Sequence, residues 1–395
     1  MDIEQIFNQG GLNKVNTSEK KSPAIRLSYL DNIRSLVIVF VVLMHSAVTY
    51  SGFGSWYYVE GSPEKLSVFE IVFFGFLQSF LQAWTMGILF FIAGFFASRA
   101  LEKHGSSSFI KERAFRLGIP LLIYVFIITP LIGFIMNNFG HGIGLPNSYF
   151  QYLTSMMWLG ATGPLWFVEA LLIFCLIYVL LGKKFLIQIK LDGIASKNIV
   201  AVILLTAAAA FLIRLVSPVG TSFLNLQFPY FASYIVLFIC GVLIGENKLL
   251  DKITDEKNIR WLKLSLLVGL PLWCFTMVFG GALEGETYFN GGFYWQSLAF
   301  ALWESLTAIG FSLGIIALFR RKFNFSNKVT CFFTDNAFGV YFFHAPVLVA
   351  ASLLFKGIDL DQIPKCVAMV IITTIVSLAI SFLIRKIKPI GILLK

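Results

Sequence analysis

Long apolar runs alternate with short polar segments along the whole chain. Runs of spanning length, about 20 residues for a hydrocarbon core of about 30 Å, fall near 30–50, 75–98, 117–136, 164–182, 199–216, 229–246, 262–280, 295–319, 334–355 and 366–385. Each run predicts a transmembrane helix. The pattern therefore predicts an all-α polytopic membrane protein with about ten transmembrane helices.

Basic residues fall in alternate connections between these runs. If the N-terminus is inside, the inner segments carry 26 of the 31 Lys and Arg residues, as expected for cytoplasmic loops. This asymmetry predicts a multi-pass protein of the cell (plasma) membrane with both termini cytoplasmic. The polar residues 1–26 are expected to form a mobile cytoplasmic tail, and residues 27–395 a single transmembrane domain.

Composition excludes two other classes of protein. The chain is 57% hydrophobic and 13% charged, whereas soluble domains carry about 25% charged residues. The net charge of +10 is spread over several loops, so no nucleic-acid partner is expected. The four histidines, His45, His104, His141 and His344, show no ligand spacing, so no metal is expected.

The first span carries two ionisable residues on one helical face. Arg34 and His45 are eleven residues apart, which places them within about 20° of the same azimuth and about 16 Å apart along the axis. Ionisable groups inside a span usually face the bundle interior and have a function. The alternative is an ion pair of Asp31 with Arg34 at the helix start, with His45 as a packing residue.

Other ionisable residues lie in or beside later spans. Arg113 and Arg116 are one helical turn apart at the membrane surface, where they could bind a phosphate or simply anchor the helix. Glu169 lies about one turn into the fourth span, and His344 lies within the ninth. Arg214, near the outer end of the fifth span, has the position of a snorkelling residue.

The order and spacing of these residues resemble the acyltransferase type 3 family of ten-helix membrane O-acyltransferases, including its glucan succinyltransferase-like branch. The resemblance covers roughly residues 26–350. The matching motifs are Leu30-Asp31-x-x-Arg34 followed by His45, Phe90-Phe91-x-x-Gly94-Phe95, Arg113-x-x-Arg116-x-x-x-Pro120, Leu165-Trp166-Phe167 and Tyr341-x-x-His344. The chain departs from the family at Ala93, where many members have Ser, and at Pro164, where some have His.

The resemblance implies an acyltransferase. Its donor would be cytoplasmic acyl-CoA (acetyl-CoA or succinyl-CoA), and its acceptor a hydroxyl of an extracytoplasmic carbohydrate or lipid-linked glycan, such as a cell envelope polysaccharide. The alternative is a glycan or lipid transporter or flippase without acyl-transfer chemistry, because buried polar residues could also line a translocation path.

Roles for individual residues follow from the same resemblance. Arg34 would bind the donor together with Arg113 and Arg116, and His45 would act as general base on the acceptor hydroxyl or form an acyl-histidine. The candidates for contacting substrate or the developing oxyanion are Glu169, Trp166, Tyr341 and His344.

Overall fold

The computed structural model describes residues 27–186, 188–193, 195–250, 255–387 and 391–393; the predicted tail, residues 1–26, lies outside them. The described residues form α-helices and no sheet. The helices are α1 (Ser28–Ser51), α2 (Val68–Arg113), α3 (Ile119–Ile123), α4 (Thr129–Phe139), α5 (Tyr149–Thr154), α6 (Trp166–Ile177), α7 (Lys183–Leu186), α8 (Ser196–Val216), α9 (Phe231–Glu246), α10 (Asp255–Leu267), α11 (Gly269–Phe279), α12 (Trp295–Leu306), α13 (Ser312–Lys322), α14 (Lys328–Leu354) and α15 (Gln362–Ile384).

Within the described residues, nine helical stretches are long and apolar enough to cross a membrane. The predicted all-α polytopic fold is thus confirmed. One stretch, Val68–Phe139, has 72 residues and would be roughly 110 Å long as a straight helix. It leaves helical geometry at Gly105 (φ 73°, ψ 168°), so its two apolar parts correspond to the second and third predicted spans.

Glycines bring α2 and α9 into close contact. A Cβ at Gly94 would overlap the carbonyl oxygen of Phe238, and a Cβ at Gly241 would overlap the carbonyl oxygen of Phe91. Membrane helices lack a hydrophobic force between them and associate through such close backbone packing of small residues. The glycine of the Phe-Phe-x-x-Gly-Phe motif therefore has a packing role in this bundle.

Several helices extend beyond the apolar runs that predicted them. The helix α2 begins at Val68 with a capping box formed by Ser67 and Glu70, and α14 begins at Lys328 with one formed by Asn327 and Thr330. These reciprocal bonds satisfy the first backbone N–H groups of each helix. Helical structure can therefore begin in polar sequence that hydropathy does not mark as a span.

Arg214 does not snorkel, contrary to the sequence interpretation. Its side chain is fully buried and forms an ion pair with Glu304, linking α8 to α12. The guanidinium also lies over the rings of Tyr230 and Phe300, 5.6 and 5.4 Å from their centroids. Here the neighbouring helix α12 supplies a carboxylate inside the bundle, so the guanidinium is paired there and does not extend toward the membrane surface.

Candidate active site

The histidines of α1 and α14 are hydrogen-bonded to each other. Nδ1 of His45 lies 3.0 Å from Nε2 of His344, and Nδ1 of His344 lies 2.6 Å from the carbonyl oxygen of Tyr341. His344 is fully buried, whereas His45 is partly accessible. The two helices therefore present one connected pair of imidazoles, of which His45 is the accessible member.

These two hydrogen bonds determine the tautomer of a neutral pair. A carbonyl oxygen only accepts, so the hydrogen of His344 is on Nδ1 and its Nε2 is an acceptor. The hydrogen of His45 is then on Nδ1, since that nitrogen must donate to His344. The Nε2 atom of His45 is left with a lone pair, which can accept a proton or attack a carbonyl carbon.

A tryptophan from the connection between two helices covers one face of His45. Trp56, in the connection between α1 and α2, stacks on the imidazole with ring centroids 3.9 Å apart and an interplanar angle of 15°. Trp56 was not among the candidate residues that the sequence predicted. The only signal was a Trp-Tyr-Tyr run at 56–58, which resembles an ordinary aromatic belt at a membrane surface.

The next residue, Tyr57, contacts the opposite wall of the site. Its side chain lies beside Tyr124 and Thr129, and burial raises the pKa of its phenol, which therefore stays protonated. A Cβ at Gly163 would overlap the Tyr57 hydroxyl, and Gly163 has a φ of +49°. Both the contact and the backbone conformation require glycine at this position.

The turn before α6 is held by three separate parts of the chain. Its carbonyl oxygens accept hydrogen bonds as follows: Ala161 from Thr129 Oγ1 (2.8 Å), Gly163 from Asn225 Nδ2 (2.8 Å) and Pro164 from the Tyr341 hydroxyl. This turn fixes the start of α6, which carries Trp166 and Glu169. Trp166 stacks on Tyr234 with centroids 5.6 Å apart.

Glu169 is half-buried on the first turn of α6. The carboxyl group has a hydrogen bond with the Thr162 side chain, whereas its Oε2 atom is inaccessible and has no partner among the described residues. A carboxylate oxygen in this condition normally has a water or ligand partner. The Oε2 atom of Glu169 is therefore an unused hydrogen-bond acceptor at the start of α6.

Two arginines come together toward the other end of α1. Arg34 lies within the bundle and close enough to Arg113 for their charges to interact, yet 53% of its side chain is accessible, so it borders an open space. Its ion pair with Asp31 is long, at 3.7 Å. The Nε atom of Arg113 is buried without a hydrogen-bond partner among the described residues.

Arg116 differs from these two arginines. Its side chain is 54% accessible and forms an ion pair with Glu112, one turn earlier on the same segment, at 3.2 Å. Arg34 and Arg113 thus lie within range of each other's charge, whereas Arg116 has a closer ion pair with its local partner than Arg34 has with Asp31.

The described residues contain no group of three or more His, Cys, Asp or Glu side chains that could hold a metal ion. The site instead offers an imidazole lone pair on α1, a carboxylate on the first turn of α6 and, toward the other end of α1, the guanidinium groups of Arg34 and Arg113. Such a set can bind an anionic group at one depth and remove a proton at another.

Comparison with known proteins adds one match. A protein-family model described as an acyltransferase domain matches residues 27–385 of the chain, a range that includes every side chain described above. No curated protein matches the chain.

Proposed function

The chain belongs to the acyltransferase type 3 family and is an acyltransferase acting on groups other than amino-acyl groups, and from this premise we propose its donor, acceptor and mechanism. The donor is cytoplasmic acyl-CoA, with an acetyl or succinyl group as in the glucan succinyltransferase-like branch. The acceptor is a hydroxyl of an extracytoplasmic carbohydrate or lipid-linked glycan at the plasma membrane.

The hydrogen bond between His45 and His344 carries the proposal. Because it leaves a lone pair on Nε2 of His45, this atom takes the proton of the acceptor hydroxyl while the hydroxyl oxygen attacks the thioester carbonyl carbon. The C–S bond then breaks, and the proton passes from the imidazolium to the departing CoA thiolate. The products are an O-acyl ester and CoA, and His45 returns to its neutral form.

His344 and Tyr341 are better suited to holding the site than to stabilising an oxyanion. Both ring nitrogens of His344 are occupied, by Tyr341 and by His45, and the Tyr341 hydroxyl donates to Pro164. Neither residue therefore has a free donor for the developing oxyanion. We assign His344 the role of fixing the tautomer and ring orientation of His45, as the orienting partner of a general base does.

Arg34 and Arg113 bind the anionic part of the donor. Two neighbouring guanidinium groups repel each other, and an anion between them removes that repulsion and forms charge-assisted hydrogen bonds. The partnerless Nε of Arg113 and the accessible side chain of Arg34 support this role. Arg116, already paired with Glu112, contributes only to the local positive potential.

Glu169 and Trp166 contact the acceptor. The unpartnered Oε2 of Glu169 can accept a hydrogen bond from a sugar hydroxyl, and Trp166, which is partly accessible at the start of α6, offers an apolar surface beside it. Both side chains belong to the firmly held start of α6, so they are suited to orienting a hydroxyl toward His45.

The test is acyl transfer in membrane vesicles that contain native envelope glycans. Radiolabelled acetyl-CoA and succinyl-CoA are supplied on the cytoplasmic side, and label in glycans is measured for the wild type, His45→Ala and His344→Ala. Loss of the base should lower the rate by about 10²–10⁴-fold, and loss of its orienting partner by about 10- to 100-fold.

The exposed loop histidine His141 provides the matched control, and His141→Ala should retain wild-type activity. Full transfer by folded His45→Ala protein would remove His45 from the mechanism. A folded wild-type protein that neither transfers label to a glycan nor hydrolyses acyl-CoA would instead indicate a transporter. Label trapped on His45 itself would replace the general-base step with an acyl-histidine intermediate.

A further inference from the structure

Hydrogen bonding alone does not hold the imidazole of His45 in one place. The bond from Nδ1 to His344 and a hydrogen bond to the Val41 backbone hold the ring at its edge, but the ring plane can still tilt, because the second side-chain torsion of histidine has a broad energy minimum. A base must stay within hydrogen-bond reach of the hydroxyl proton. A further contact is therefore needed to fix the plane of the ring.

Trp56 supplies that further contact. Its indole is nearly parallel to the His45 ring, 15° apart with centroids at 3.9 Å, and it is also aligned with His344, at 16° and 6.3 Å. The stack restricts the tilt that the hydrogen bonds allow. Together these contacts leave the Nε2 edge of His45 as the part that a substrate can approach.

The segment that carries Trp56 is a connection between helices, and such segments are usually mobile. Here it is tied to the end of α1, because the backbone N–H groups of Glu60 and Gly61 both donate to the carbonyl oxygen of Thr49, at 2.8 and 3.0 Å. Gly61 also packs so closely against Tyr50 that a Cβ would overlap its carbonyl oxygen.

A mostly buried ion pair ties the same segment to α15. The Glu60 carboxylate binds the Lys365 ammonium, and the two side chains are only 14% and 5% accessible. Lys365 also donates to the carbonyl oxygen of Ile358 at 3.0 Å, and Tyr58 donates to the Glu60 carboxylate at 3.3 Å. Separating the two side chains would leave an uncompensated buried charge, so the segment that carries Trp56 does not easily move away from α15.

We propose that Trp56 is a positioning residue for acyl transfer, and that the Glu60–Lys365 ion pair is the latch that keeps its indole stacked on His45. The inference rests on the proposed role of His45 as the base. The latch lies outside the stacked rings, so it acts on the reaction only through Trp56. Substrates reach His45 at its free edge and not across its covered face.

The test compares Trp56→Ala, Trp56→Phe and the latch variant Glu60→Gln in the vesicle assay, with kcat and the KM for acetyl-CoA determined separately. Misplacing a base by about an ångström costs up to about 10²-fold in rate. Trp56→Ala should therefore lower kcat by about 10- to 100-fold with little change in KM. Trp56→Phe should keep most of the activity because a phenyl ring also stacks. Glu60→Gln should lower kcat less than Trp56→Ala.

Two further measurements separate positioning from folding. The control Trp158→Ala removes another tryptophan of an extracytoplasmic connection, one that contacts Phe126 and not His45, and it should leave kcat unchanged. An imidazole-acylating reagent should modify His45 faster in Trp56→Ala than in the wild type, because one ring face is uncovered. Thermal melting in detergent checks that each variant is folded.

Unchanged kcat in folded Trp56→Ala would overturn the inference, and so would a Trp56→Phe protein as slow as Trp56→Ala. If His45→Ala is inactive in the same assay while Trp56→Ala is fully active, only the positioning role fails. If His45→Ala is active, the proposed role of His45 fails with it.

Discussion

At the scale of single residues, helical arithmetic predicted which side chains of α1 belong together but not what they contact. Arg34 and His45 share one face because of their spacing, which needs no tertiary information. The partner of His45 is 299 residues away in the sequence, and the indole that covers it comes from a connecting segment. Such contacts follow from the packing of α1 against α14, which no local pattern encodes.

The sequence also grouped three arginines that the structure separates. The spacing of Arg113 and Arg116 predicts neighbours on one turn, but the choice between a phosphate site and an anchor depends on where each guanidinium points. Arg113 lies near Arg34, whereas Arg116 is paired with Glu112. Side chains of adjacent turns can thus belong to different environments.

This separation predicts different donor affinities for the arginine variants. Arg34→Gln and Arg113→Gln should each raise the KM for acyl-CoA by roughly 10- to 100-fold, because a charge-assisted hydrogen bond contributes about 1.5–3 kcal/mol. Their kcat should change less, since the lost contact is made equally in the ground and transition states. Steady-state kinetics with acetyl-CoA measures both constants.

Arg116→Gln is the matched control, with the same change of charge one turn away. It should alter KM by less than about threefold, since exposed ion pairs contribute about 0–1 kcal/mol. An equal effect of all three substitutions would point to a diffuse positive potential in place of a two-arginine site.

At the scale of helices, hydropathy located the spans well because the bilayer fixes their length and apolar character. The predicted run 30–50 became Ser28–Ser51, and 199–216 became Ser196–Val216. Hydropathy failed at polar helix ends, where capping decides the boundary. The Ser67 and Glu70 spacing was visible in the sequence and could have placed the start of α2.

The close contact of α2 with α9 predicts unequal effects of two glycine substitutions in one helix. Gly94→Ala should destabilise the protein by about 1–3 kcal/mol, because the added methyl group would overlap the Phe238 carbonyl. Gly75→Ala should be neutral or stabilise by up to about 1 kcal/mol, since its Cβ would meet no atom within 4 Å. Thermal melting in detergent should show a lower transition temperature only for Gly94→Ala. Equal melting of the two variants would mean that α2 can move away from α9 without cost.

At the scale of the whole molecule, the basic residues within the bundle have different partners on its two sides. On the side predicted to be outside, Arg214 pairs with Glu304 and Lys365 pairs with Glu60. On the side predicted to be inside, Arg34 and Arg113 lie within range of each other's charge, and Arg34 has only a long ion pair with Asp31. The proposed anionic donor would therefore be attracted to the half of the bundle that carries Arg34 and Arg113, and the other half is electrostatically suited to a neutral acceptor.

Binding of a cytoplasmic donor near Arg34 and Arg113 requires that the connections rich in Lys and Arg face the cytoplasm. Single-cysteine labelling can test this orientation. In a chain with its five native cysteines replaced, Glu64→Cys and Glu284→Cys should react with a membrane-impermeant maleimide added outside intact cells. Glu102→Cys and Lys322→Cys should react only after the cells are permeabilised. All four positions are exposed to solvent, so a difference in labelling reports the side of the membrane and not burial. The reverse pattern would place Arg34 and Arg113 on the outer side, where cytoplasmic acyl-CoA could not reach them, and the direction of acyl transfer proposed here would be wrong even if His45 remained the base.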